Sequence, residues 1–138
     1  MQTAAVREPF KFIDDTLAYQ NPRLLQRFMK DQGVSLAEAE KRFMELKKFL
    51  IVAAVKPGPK VTSDPIDSLW HCFLLYSKDY EQFCKGFLGR FIHHQPFEQP
   101  SPETYLETRA FTEKMFGPLD VDLWFLEAKT CCSSGCGD

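Results

Sequence analysis

Apolar positions recur at helical spacing along most of this chain. Ala39, Phe43, Leu46, Leu50 and Ala53 follow one another at intervals of four, three, four and three, which lays them on one helix face. Ser35 and Glu38 form a capping box at its start, and Pro57-Gly58-Pro59 must end it, because proline lacks the N–H a helix needs. Upstream, Arg23 to Gln32 reads as a shorter helix with Asn21 as cap, Pro22 in first position and Gly33 at its end, preceded by a turn-rich stretch from Ala18 to Pro22.

Downstream, Ser63-Asp64-Pro65 opens a helix whose apolar stripe is Ile66, Leu69, Trp70, Phe73 and Leu74. Ser77 interrupts it, and Lys78 to Phe87 reads as a short helix ending near Gly86 or Gly89. An extended connector carrying Pro96 and Pro100 leads to Ser101-Pro102-Glu103, the start of a helix through Tyr105, Leu106 and Phe111 that Gly117-Pro118 closes. Val121 to Leu126 is apolar and is either a short strand or a last helical turn. The pattern predicts a mainly α protein: one compact domain of about five helices over residues 1–128, then a cysteine-containing tail over 129–138. That tail has no apolar side chains beyond its cysteines, so only an added restraint would order it.

Thirteen Phe in 138 residues point to a core built on aromatic rings. A net charge of −2 gives the molecule no general attraction for nucleic acid. The cations Lys41, Arg42, Lys47 and Lys48 alternate with Glu38, Glu40 and Glu45 at helix-pair spacing and read as a solvated face. No apolar run approaches the roughly 18 residues of a membrane span, and Met1 to Glu8 lacks the apolar stretch of a signal peptide, so a cytoplasmic location is expected. Five cysteines is an odd number for a disulfide framework and favours reduced thiols or thiolate ligands. Cys136 is followed by two residues, one short of a prenylation box.

Candidate chemistry gathers between Asp67 and Pro96, where all three histidines lie. Asp67 and His71 are four apart on a helix and can touch; a carboxylate beside an imidazole fixes its tautomer and leaves the other ring nitrogen for a metal or a proton. Tyr80 and Cys84 repeat the spacing, while Cys72 points about 100° away from His71. Cys72 and Cys84 read as packed small hydrophobes, the latter among Phe83, Phe87 and Phe91, where a thiol paired with His93 would be buried and unactivated. His93 and His94 are adjacent in extended chain and face opposite ways, so one of them can join His71. In the tail, Cys131, Cys132 and Cys136 have the spacing to offer two or three thiolates to one ion; a redox pair or loose thiols are the alternatives.

Asp67-x-x-Trp70-His71, Tyr80-x-x-Phe83-Cys84 and Gly89-Arg90-Phe91-Ile92-His93-His94-x-Pro96, in that order, resemble the core of the glycine-rich domain-containing protein-like family, including its short bacterial members. Phe49-Leu50 followed by Pro57-Gly58 is similar as well, so residues 35 to 97 are covered. With seven Gly, the chain lacks the glycine-rich region of the larger members, and any role of that region does not carry over. The resemblance implies a small helical domain built around Asp67, Trp70, His71, Tyr80, Cys84, His93 and His94, and names no reaction.

The residues therefore set up an expectation of a metal-binding domain with zinc as the ion, its ligands drawn from His71, His93, His94, Cys131, Cys132 and Cys136, supported by Asp67, Trp70, Tyr80 and Cys84. The alternative is an adaptor or inhibitor that meets a protein partner through Phe87, Phe91, Phe97 and Phe116. A thiol- or metal-dependent enzyme ranks third, because the chain has no Gly-rich phosphate loop, HExxH helix or GxSxG turn.

Overall fold

The computed structural model describes residues 9–95 and 101–127, with side chains from residue 12 onward. Its elements are α1 (Pro9–Ala18), α2 (Pro22–Gln32), α3 (Leu36–Val55), α4 (Asp64–Leu75), α5 (Ser77–Phe83), a π-helical turn (Cys84–Leu88) and α6 (Pro102–Phe116), with no strand among the described residues.

Helix α3 is the axis on which the others pack. The Ser35 hydroxyl accepts from the Glu38 N–H at 3.1 Å, as the capping box predicts. Its second half, Phe49 to Ala53, is buried all round because α1, α2, α4, α6 and the π-helical turn all contact this helix. The helix stops before Pro57, as expected, and the carbonyls of Ala53 and Ala54, which the broken helix leaves unpaired, accept from Arg90 Nη2 at 2.8 and 3.2 Å.

The starts and stops of α2, α4 and α6 follow their cap residues. Asn21 Oδ1 accepts from the Leu24 N–H, and Gly33 ends α2 in the left-handed region at φ 67°, a conformation glycine adopts without steric cost. Ser101 caps α6, and Gly117 closes it. Ser63 opens α4, yet its hydroxyl donates to the Leu123 carbonyl in place of capping its own helix.

The mainly α architecture is as expected, with one helix more than the pattern delimits: α1 occupies Pro9–Ala18, ahead of the turn-rich stretch, giving six α-helices among the described residues. It docks through Lys47, whose Nζ donates to the Leu17 and Tyr19 carbonyls at 2.6 and 2.7 Å. Two further expectations are corrected. The charged face of α3 is accordingly not solvated throughout: Lys47 and Glu45 are buried, and Glu45 Oε1 accepts from Trp124 Nε1 at 3.0 Å. The segment Val121 to Leu126 is neither strand nor helix. It is a turn closed by Trp124 N–H to Asp120 carbonyl at 2.7 Å, with Leu123 and Trp124 buried and Val121 and Leu126 exposed.

The aromatic core is present as expected. Tyr19 lies 4.8 Å from Phe83 and 5.7 Å from Phe87 between ring centroids, and Phe73 meets Phe43, Tyr80 and Phe83. No helix among the described residues is long and apolar enough to cross a membrane.

Candidate metal centre

Asp67 sits in the first turn of α4, with its side chain almost fully buried. One helical turn on, His71 Nε2 lies 3.1 Å from Asp67 Oδ2, and this histidine is 47% exposed. From the other side, His94 Nε2 lies 2.8 Å from Asp67 Oδ1, with a side chain only 5% exposed. The carboxylate is thus gripped by two imidazoles, whose ring centroids are 4.7 Å apart. Burial pushes the Asp67 carboxyl above the usual range, and the His94 bond and the charge field of both histidines pull it back down. Asp64, three residues earlier, adds to the upward push.

The position of His94 is set by packing. Its ring stacks on Trp70 at 4.0 Å with 24° between planes. Trp70 is itself fixed: its Nε1 donates to the Tyr80 hydroxyl at 3.0 Å, and that hydroxyl donates to the Ile92 carbonyl at 2.5 Å. The carbonyl belongs to the segment that carries His94, so one chain of bonds ties α4, α5 and residues 91–95 together. A buried chain of this kind holds a side chain within a narrow range of positions.

Before that segment, α5 runs into the π-helical turn and Gly89 reverses the chain at φ 82°, where a non-glycine residue would be strained. Residues 91–95 follow without regular secondary structure, and the two adjacent histidines make different contacts. His94 faces Asp67, while His93 is exposed and sets its ring against Phe91 at 4.8 Å. The choice between the two histidines, open in the sequence, is made here by Trp70.

Among the described residues, one group of His, Cys, Asp and Glu can hold an ion: Asp67, His71 and His94, whose donor atoms all lie within 4.8 Å of one another. Asp67 is therefore a member of the group and not only a support. His93 is outside it. Tyr80 and Trp70 support it through their bonds, and Cys84, buried against Tyr80 with its thiol pushed up by burial, is a packing residue, as is Cys72. Cys131, Cys132 and Cys136 lie outside the described residues.

Asp67 and His94 also line a cleft of about 310 Å³ between the end of α3, the loop 58–62 and residues 90–95. Phe49 and Trp70 provide apolar wall, and Lys60 and Arg90 provide charge. No local pattern announces this cleft: Arg90 lies within Gly89-Arg90-Phe91, and only the tertiary fold sets it against the end of α3, thirty-six residues earlier.

Fold and site together define an all-helical domain with a buried aspartate clasped by two histidines at the edge of a cleft. A family model described as UCP032817-like matches residues 10–113, and the chain belongs to that family. No curated protein and no solved structure matches it.

Proposed function

We propose that the protein is a metal-binding helical domain that holds one divalent transition metal, zinc before others, on Asp67, His71 and His94. The observation that carries this reading is the convergence of one carboxylate and two imidazole nitrogens within 4.8 Å. Around tetrahedral zinc, with bonds of about 2.0–2.1 Å, neighbouring donors are about 3.3 Å apart. The two imidazoles meet different oxygens of the carboxylate, at 2.8 and 3.1 Å, so rotation of the Asp67 and His71 side chains would bring the three donors around one ion. Nitrogen and carboxylate donors suit zinc, and the stack on the hydrogen-bonded Trp70 fixes the plane of the His94 ring.

Three protein ligands leave one position. Because Asp67 and His94 line the cleft, a ligand on that position reaches the ion from there; a thiolate from Cys131, Cys132 or Cys136 is the competing occupant. The same reading places the protein in the cytoplasm, supported by the odd cysteine count and by the free Cys72 and Cys84. It also relates the chain to the glycine-rich domain-containing protein-like family, supported by the coincidence of the motif residues with the site. The partner-binding alternative gains no support from Phe87, Phe91 and Phe116, which are partly buried against the core, and Phe97 lies outside the described residues.

Elemental analysis of the purified chain tests the proposal. Stoichiometric zinc that is lost in His94→Ala and kept in Cys136→Ala is the expected result. Metal lost only in Cys136→Ala moves the site to the tail, and no metal in the unsubstituted chain ends the proposal.

A further inference from the structure

The cleft beside the candidate metal centre carries a charge arrangement that the metal does not explain. Asp67 is its single carboxylate, and both oxygens are already engaged by histidines. Opposed to it are two cations, Lys60 and Arg90, and neither meets a carboxylate among the described residues. Both are anchored on backbone: Lys60 Nζ donates to the Lys56 carbonyl at 2.7 Å, and Arg90 Nη2 donates to the Ala53 and Ala54 carbonyls. These bonds use one nitrogen of the guanidinium and one of three ammonium protons, so the rest of both donor sets stays available. Lys60 is held below the usual lysine range by burial and by the neighbouring charges of Arg90 and Lys56, the condition an incoming anion would relieve. Phe49 and Trp70, both largely buried, add apolar edges to the same lining.

We infer that the cleft binds a small organic carboxylate, its anionic group on Lys60 and Arg90 and its apolar body against Phe49 and Trp70. A volume of about 310 Å³ suits a compact ring or short chain, at the lower end of ligand sites generally. With Nη2 held by backbone, Arg90 keeps Nη1 and Nε as donors, and one of these together with the Lys60 ammonium can each take one oxygen of a carboxylate. The inference deepens the metal reading by naming what the cleft takes, and it rests on that reading only for what lies at the far end of the ligand.

The test uses the full chain, as purified and again after dialysis against a chelator, titrated with benzoate and with benzyl alcohol and followed by amide chemical shifts. Benzoate is expected to bind at least tenfold more tightly than the uncharged analogue in both preparations, with shifts centred on residues 58–62 and 90–95. Lys60→Gln should weaken benzoate at least fivefold, whereas Lys114→Gln, which removes a distant charge, should not. Arg90→Gln should do the same as Lys60→Gln where melting shows it folded; Lys60→Gln decides the matter otherwise. Equal binding of the two probes, equal effects of Lys60→Gln and Lys114→Gln, or selectivity that vanishes with the chelator would overturn the inference. Because the selectivity is read without metal, a chain that proves free of zinc leaves this result standing or falling alone.

Discussion

Asp67 places a charge where water barely reaches, and the cost of doing so is the clearest physical signal in the molecule. Among the described residues, His94 and His71 are the side chains that meet that carboxylate. Asp67→Asn keeps the shape and a bond to His94 while removing the buried charge, so the metal-free chain should change by less than about 1 kcal/mol in a urea titration. Asp67→Ala leaves His94 without its acceptor and should cost about 1–3 kcal/mol. If the two substitutions cost the same, the bond to His94 is not what the carboxylate supplies.

Lys47 gives a pH-dependent counterpart. Burial lowers its ammonium to about 8 from the ordinary 10.5. Above about pH 8 the folded chain has given up a proton that the unfolded chain keeps up to about 10.5, so the unfolded state binds more protons and stability rises with pH through that window. Measured against Lys47→Met, the wild type should gain stability between pH 8 and 10 with a slope of at most about 1.4 kcal/mol per pH unit. A flat or falling difference would show that the Leu17 and Tyr19 carbonyls hold the charged form fully.

At the scale of elements, the segment after α6 acts as a strap. Ser63, Tyr105 and Arg109 bond to the carbonyls of Leu123, Phe125 and Trp124, and Glu45 accepts from the Trp124 indole. Glu45→Ala leaves a buried indole N–H unpaired and should cost about 1–3 kcal/mol, read as a lowered urea midpoint. The same cost in Glu40→Ala, at an exposed position on the same helix, would show that the Glu45–Trp124 bond does not hold the strap.

The elements whose cues are local were legible in the sequence. Ser35-x-x-Glu38, Asn21-Pro22 and Ser101-Pro102 are short-range signals, and each starts a helix where predicted. Helix α1 carries no local cue of the kind that marks α2, α3 and α6, and its docking depends on Lys47, thirty residues away. Glu45 and Lys47 look like a solvated pair along the helix, and only partners from α1 and from Trp124 make them buried. In the site, the Asp67–His71 contact follows from spacing, whereas the selection of His94 over His93 depends on stacking with Trp70, a tertiary contact.

For the whole molecule, the family match ends at residue 113, but the fold does not. Leu119, Leu123 and Trp124 are buried beyond that point, and Trp124 contacts Phe49 and Tyr105. A chain ending at residue 113 should therefore lose at least the roughly 3–5 kcal/mol attached to a buried tryptophan and melt well below the full chain. Equal melting temperatures would mean that the family segment is a self-sufficient domain.

The central claim is that Asp67, His71 and His94 form a metal centre, and zinc titration calorimetry on the metal-free chain tests it most directly. One ion per chain is expected, with affinity reduced by at least about a hundredfold in Asp67→Asn, where geometry is kept and the anionic donor is gone. Zinc binding of unchanged strength in Asp67→Asn, or no saturable binding in the wild type, would contradict it.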